Sequence, residues 1–310
     1  MPLSDLQKNI VALLRQKKAI LLAHYYQRRE VQEIADILGD SLSLCIEAAK
    51  TDAEIIVFAG VHFMAESAAI LCPDKTVLIP RPDAGCPLAD MITPEQLQKA
   101  RQSHPEAAVV TYINSSAAIK ALSDICCTSA NALNVVHSIK DKKEILFIPD
   151  GNLARYTALS ASAAIIPWEG YCPVHQSLNI DDIIKRKADY PGAPVLAHPE
   201  CTPDVLRAAD FVGSTAAMLE FVRKASQKTF IIATETGILV QMGKENPGKT
   251  LIPASENMIC ETMKYTTLED IYTGLTNMTH IVTLPEDKRL KALSSLEKML
   301  ALAKSPPSTP

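Results

Sequence analysis

Three short apolar runs along the chain each end in a polar ring: Ile20-Leu21-Leu22-Ala23-His24, Val109-Val110-Thr111-Tyr112 and Val195-Leu196-Ala197-His198. A compact apolar run without alternation predicts a strand buried on both faces, as in a parallel sheet. Aligning His24, Tyr112 and His198 gives spacings of 88 and 86 residues. That alignment predicts further matching positions. Ser41, Ser129 and Thr215 each stand 17 residues after a ring, and each opens a helical pattern: Ser41 to Lys50, Ser129 to Lys140 and Thr215 to Lys224. Their hydroxyls are expected to cap those helices. More strands are predicted over 55–58, 145–148 and 230–233, and a last set ends in proline over 77–80, 164–167 and 251–253.

One cysteine follows each of these prolines: Cys86 by six residues, Cys172 by five and Cys260 by seven. The cysteines are 86 and 88 residues apart, so they share the period of the repeat. Helices are predicted next, over 94–102, 181–187 and 268–275. Each unit thus reads strand, helix, strand, helix, strand, cysteine loop. Alternating strands and helices imply parallel sheets with helices on both faces. The expected architecture is three homologous αβα domains, over 1–92, 93–179 and 180–310, set around a pseudo-threefold axis. The third carries a C-terminal helix from Asp287 to Lys304 and a frayed end at 305–310. Ligand sites in such sheets lie beyond the carboxyl ends of the strands. His24, Tyr112, His198 and the cysteine loops all occupy that end, so they are expected to converge on one central site.

Composition narrows the chemistry. The 310 residues carry 31 basic and 35 acidic side chains, well interspersed, for a net charge of −4. This balance gives no footprint for nucleic acid or an anionic membrane. The charged start of the chain is no signal peptide and no apolar run is long enough to cross a bilayer, so a soluble, cytoplasmic protein is expected. A reducing compartment argues against disulfides among the eight cysteines. Cys45, Cys72, Cys126 and Cys127 read as small buried apolar residues. Cys86, Cys172 and Cys260 read as metal ligands, because burial alone explains neither their common period nor their common loop. Three isolated thiolates without a C-x-x-C pair suit an iron–sulphur cubane with one iron free of cysteine. Zinc on the three cysteines and His175 is the alternative ligand set.

The polar residues just past the first strands are His24, Tyr26, Tyr112, Asn114, His198 and Glu200. Glu200 is the only carboxylate among them, and so the natural general base. The helix N-termini at Ser41, Ser129 and Thr215 would favour a phosphorylated or dicarboxylate substrate. Glu30 and Glu33 read as a solvated face, 140–144 as a turn and Trp168 as packing for the Cys172 loop. His62, His104, His137 and His280 have no repeat partner and read as ordinary.

These residues resemble the quinolinate synthase family. The resemblance is carried by Ala23-His24-Tyr25-Tyr26-Gln27, Gly39-Asp40-Ser41, the stretch 58–66, Thr128-Ser129-Ala130-Asn131, Gly170-Tyr171-Cys172-Pro173-Val174-His175 and His198-Pro199-Glu200-Cys201. It implies condensation of iminoaspartate with dihydroxyacetone phosphate to quinolinate, with loss of phosphate and water, in de novo NAD biosynthesis. It implies a [4Fe–4S] cluster on Cys86, Cys172 and Cys260, with one iron not ligated by cysteine. It places His24, Ser41, Tyr112, Asn114, Ser129, His175, His198, Glu200, Ser214 and Thr215 at substrate-contacting positions. Tyr26, His198 and Glu200 take acid–base roles, and L-aspartate oxidase is the implied functional partner. Two departures stand out. Some members carry C-x-x-C-x-x-C at the third ligand, where this chain has only Cys260. Many have a histidine shortly after the Thr234-Glu235 strand end, where this chain has Val240-Gln241-Met242. Rival readings are another cluster-dependent hydro-lyase, a zinc hydrolase, and a cluster carrier or sensor; a carrier has no use for converging His, Tyr, Asn and Glu side chains.

Overall fold

A computed structural model of the chain describes residues 3–303; the frayed end expected at 305–310 lies outside them, as does Lys304. The first unit runs α1 (Asp5–Gln16), β1 (Ala19–His24), α2 (Arg29–Gln32), β2 (Ile37–Gly39), α3 (Ser41–Lys50), β3 (Ile55–Ala59), α4 (His62–Leu71) and β4 (Thr76–Leu78). The second runs α5 (Pro94–Ser103), β5 (Ala108–Tyr112), α6 (Ala117–Ala121), β6 (Ile125–Cys127), α7 (Ala132–Ser138), β7 (Glu144–Ile148), α8 (Gly151–Ala158) and β8 (Ala164–Pro167), with a short α9 (Pro173–Gln176) after Cys172. The third runs α10 (Ile180–Asp189), β9 (Val195–Ala197), α11 (Pro203–Ala208), β10 (Phe211–Val212), α12 (Thr215–Lys224), β11 (Thr229–Ala233), α13 (Ile238–Glu245) and β12 (Thr250–Pro253). Two helices follow, α14 (Leu268–Asn277) and α15 (Glu286–Ala303).

The three sheets share one topology, with orders β2-β1-β3-β4, β6-β5-β7-β8 and β10-β9-β11-β12, and every pairing is parallel. The α/β class and the repeated αβα build therefore stand as read from the chain. Each unit has one strand more than expected. The additional strands β2, β6 and β10 are only two or three residues long, too short for a periodicity to register. Each is pinned by an aspartate just before it. Asp36, Asp124 and Asp210 accept from the backbone N–H of Leu21, Val109 and Val195 at 2.8, 2.7 and 2.8 Å. Each also donates its own N–H to the carbonyl of that same residue. These aspartates recur at 88 and 86 residues, so the repeat extends to a specific side chain–backbone lock.

The start of each unit is equally regular. Ser4, Thr93 and Asn179 form capping boxes with Gln7, Gln96 and Asp182 at the heads of α1, α5 and α10. Reciprocal bonds of this kind satisfy backbone donors that a helix start leaves open. Thr267 and Asp270 form a fourth box at the head of α14, as if a fourth repeat began there. That helix packs against α1, and α15 packs against α6, β6 and α4. The central strands carry buried apolar cores: Leu21, Leu22, Ile56, Val57, Val110, Phe147, Val195 and Ile231 are all fully enclosed.

One expectation about helix starts is corrected. Ser41 and Thr215 are the first helical residues of α3 and α12, and the caps are Asp40 and Ser214, one residue earlier. A carboxylate at the cap accepts a helix N–H as well as a hydroxyl does, so the residue ahead of each hydroxyl takes the role. Ser129 lies in a turn before α7, whose cap position is Asn131. The Asn131 side chain bonds back to the Thr128 N–H at 2.7 Å, outside the helix.

Candidate active site

The carboxyl ends of the three first strands meet at one cavity. His24, Tyr112 and His198 enter it from the three units, with Tyr26, Asn114 and Glu200 from the loops that follow. Ser41, Ser129 and Thr215 line it from the starts of, or turns before, the next helices. Cys86, Cys172 and Cys260 complete the wall, one from each unit, with His175. Of the residues expected at the site only Ser214 does not line the cavity; its hydroxyl accepts from Ala217 N–H at 3.3 Å and so fixes the start of α12. The other five cysteines are buried. Cys45 lies in α3, Cys126 and Cys127 form part of β6, and Cys72 ends α4.

Glu200 is the centre of the polar network. Its Oε2 lies 3.0 Å from His175 Nδ1 and 3.1 Å from His198 Nδ1, and the two imidazoles stack at 4.8 Å. All three side chains are almost fully enclosed. Burial alone would raise the Glu200 carboxyl; the two imidazoles outweigh it and hold the group below the ordinary carboxylate range. The other oxygen, Oε1, is buried without a partner, and so is Asn114 Oδ1. Buried acceptors rarely stay unpaired in a native protein, so both mark places where a ligand group belongs. His198 Nε2 reaches Ser129 Oγ at 3.1 Å and His175 Nε2 reaches Thr234 Oγ1 at 2.8 Å. Thr234 in turn meets the Tyr26 hydroxyl at 2.6 Å. A continuous chain of proton-carrying groups thus runs from Tyr26 through Thr234 and His175 to Glu200 and His198. Burial pushes the Tyr26 and Tyr112 hydroxyls well up, leaving both protonated near neutrality. His24 is pushed down to about 3, by burial first and then by the charges of Lys264 and His198, so it is a neutral imidazole.

The donor set fits a metal group. Burial pushes the thiols of Cys86, Cys172 and Cys260 up, the first to about 12; Cys260 raises Cys86 further, and Glu200, Cys86 and Cys260 raise Cys172. Three thiols gathered in one cavity and pushed up by burial ionise together when a cation neutralises them. Cys172 Sγ, a His175 nitrogen and a Glu200 oxygen also lie within 4.8 Å of one another, and His175 Nδ1 is 3.2 Å from the sulphur. Soft thiolates from three separate elements suit iron–sulphur ligation.

Sequence reasoning passed over several residues that build the site. Glu235 is fully buried, lines the cavity and pairs with Lys264 at 2.9 Å. Lys264 also donates to the Tyr26 carbonyl, and Arg28 Nε reaches the Lys264 carbonyl at 2.5 Å. Gly237 sits inside this knot: a Cβ there would lie 2.6 Å from Lys264 Nζ and 2.9 Å from the Tyr26 backbone. Asn152 donates to the Glu200 carbonyl at 3.0 Å and to Gln176 at 2.9 Å, tying the second unit to the third. Trp168 donates from Nε1 to the Met91 carbonyl at 2.9 Å and packs against the apolar cluster of Ile92, Leu97 and Val109.

Comparison with known proteins identifies the family. The family model described as Quinolinate synthetase A protein matches residues 8–301. The chain is 55% identical over 298 residues to a quinolinate synthase of Geotalea uraniireducens, covering 96% of this chain and 98% of the relative. It is 52% identical over 302 residues to the quinolinate synthase of Geobacter metallireducens, covering 97% and 99%. Quinolinate synthase 1 of Methanosarcina acetivorans is 50% identical over 299 residues, covering 96% and 98%. Identity at this level along nearly the whole length, on a cavity built from one cysteine and one polar ring per repeat, places the chain in the quinolinate synthase family as an enzyme of that type.

Proposed function

We propose that the enzyme condenses iminoaspartate with dihydroxyacetone phosphate to quinolinate, with loss of phosphate and water, in de novo NAD biosynthesis. The observation that carries this reading is the meeting of Cys86, Cys172 and Cys260 with His24, Tyr112 and His198 in one cavity. The cofactor is a [4Fe–4S] cluster held by the three cysteines, with one iron left without a cysteine. When bound, such an iron supplies Lewis acidity toward a hydroxyl or carboxylate.

The chain's own residues do the rest. Ser41, Ser129 and Thr215, with the open backbone donors at the starts of α3 and α12, bind phosphate and carboxylate oxygens. Ser214 serves this group by fixing the α12 start. Neutral His24, Tyr112 and Asn114 orient the substrates through hydrogen bonds. Glu200 takes protons as the base, and His198, His175 and Tyr26 relay them through Thr234. The enclosed walls keep water from the labile imine. A short-lived imine also favours a supplier at hand, so L-aspartate oxidase is the proposed functional partner. The domains are proposed as 1–92, 93–179 and 180–310, since the helices that open the second and third repeats begin at Pro94 and Ile180.

Anaerobic purification with iron, sulphide and zinc analysis and Mössbauer spectroscopy tests the cofactor. Cluster iron with equal sulphide is expected; stoichiometric zinc without sulphide overturns it. Cys86→Ala, Cys172→Ala and Cys260→Ala should each lose the cluster, while Cys126→Ala should keep it. Failure of the fully loaded enzyme to form quinolinate from the two substrates overturns the reaction.

A further inference from the structure

We propose that Asp150 and Glu235 are positioning residues that hold the Cys172 and Cys260 loops against their sheets, a device that the first unit lacks. The inference rests on the reading of these cysteines as ligands. β7 ends at Ile148 and β11 at Ala233, so Asp150 and Glu235 each stand two residues past the third strand of their unit. The same place after β3 is Val61.

Both carboxyls are wholly buried. A carboxyl withdrawn from water costs folding free energy unless its surroundings replace the lost hydration, so two of them at one repeat position call for a reason. Hydrogen bonds supply it for both oxygens of Glu235, and the Asp150 backbone supplies it for the second unit. Glu235 Oε1 accepts from the Cys260 N–H at 3.2 Å, and Oε2 accepts from the Gly237 N–H at 2.7 Å. Asp150 Oδ1 accepts from the Leu153 N–H at 2.7 Å and so fixes the start of α8, while Oδ2 is buried without a partner. The Asp150 backbone bridges Gly170, and Gly151 N–H donates to the Gly170 carbonyl at 2.8 Å, two residues before Cys172. The approach is so close that a Cβ on Gly170 would meet the Pro149 carbonyl oxygen at 2.3 Å. In the first unit the cysteine loop is tied instead by the His62 N–H, which donates to the Ala84 carbonyl at 2.7 Å, and by Arg81, which pairs with Asp83 and Asp270.

The test is site-resolved alkylation of the metal-free protein by iodoacetamide, read by mass spectrometry, beside the rate of iron loss from loaded protein to a chelator. Glu235→Gln should speed alkylation of Cys260, and Asp150→Ala, which removes the Leu153 bond, that of Cys172, by about fivefold, the factor given by losing one hydrogen bond of about 1 kcal/mol. Cys86 is the internal control and should keep its wild-type rate in both. Iron loss should quicken in both variants. Unchanged rates at Cys172 and Cys260, or an equal rise at all three cysteines, overturn the proposal. Should either variant fail to fold, Glu235→Asp and Asp150→Ser preserve the comparison, with the same site-specific pattern expected. Wild-type protein that takes up no iron would refute the cluster reading alone, because the thiol measurement needs no metal.

Discussion

Glu200 and His24 are two buried groups of one cavity at opposite ends of the charge scale, burial neutralising His24 while two imidazoles keep Glu200 charged. Glu200 faces two imidazoles and stays ionised, whereas His24 faces Lys264 and His198 and stays neutral. The first consequence is catalytic. Glu200→Gln removes the base and is expected to lower kcat by about 10²–10⁴-fold, the usual worth of a positioned proton acceptor. Steady-state kinetics on variant protein of matched iron content checks this. The second consequence is a pH effect on stability. Native His24 takes up a proton only near pH 3, from an ordinary value of 6.5. Between those values the unfolded chain binds a proton that the native chain does not. This contribution is therefore intact above pH 6.5 and is lost as pH falls toward 3, at about 1.4 kcal/mol per pH unit. Urea unfolding of wild type and His24→Gln at pH 7 and pH 5 measures it. The wild type should lose more stability on acidification; equal losses would refute the account.

Elements in this chain are specified by short side chain–backbone locks as much as by apolar pattern. The Asp36, Asp124 and Asp210 bonds set the register of the two- and three-residue strands. The four capping boxes set where α1, α5, α10 and α14 begin. Thr267 caps α14 through bonds to and from Asp270. Thr267→Ala should lower global stability by about 1 kcal/mol, seen as a shift in denaturant midpoint without change of slope. These locks also explain what was hard to read. A strand of two residues has no period, and its aspartate reads as a turn residue until the three copies are aligned. Asp40 and Ser214 were passed over as caps because the hydroxyls one residue later match across all three repeats, a match that belongs to the cavity rather than to the helix starts.

At the scale of the molecule, each unit supplies a third of the cavity wall, so the site exists only while the units stay joined. The first and third are joined by Lys264 to the Tyr26 carbonyl, Tyr26 to Thr234, and Gln32 to the Gly237 carbonyl at 2.9 Å. The second and third are joined through Asn152 and the His198–Ser129 contact. The first and second share Glu66, which accepts from the Ala117 N–H at 3.0 Å, and α15, which lies across α4 and α6. Leu296 on α15 is fully buried. Leu296→Ala should cost about 2–5 kcal/mol by leaving a cavity. Hydrogen exchange should then rise first at α15 and α6; a change confined to residues 286–303 would show that the helix does not brace the junction.

Much of this was legible along the chain. The period of 86 to 88 residues, the parallel strands and the three equivalent cysteines follow from residue order, because a buried strand must be apolar and a repeated fold repeats its pattern. The candidate site was legible to the same extent, since strand ends and cysteine loops recur in phase. Glu235, Asp150, Lys264 and Asn152 were not. Each acts on a partner far away in sequence or through backbone, and charge in a sequence reads as surface until burial is known. The chain by itself determined the three units and the reactive residues each contributes. Only the tertiary structure decided that Glu200 stays ionised between two imidazoles and that two buried carboxyls lie against cysteine loops. Ionisation and hydrogen bonding depend on which groups share a space without water, and that is a property of the folded whole.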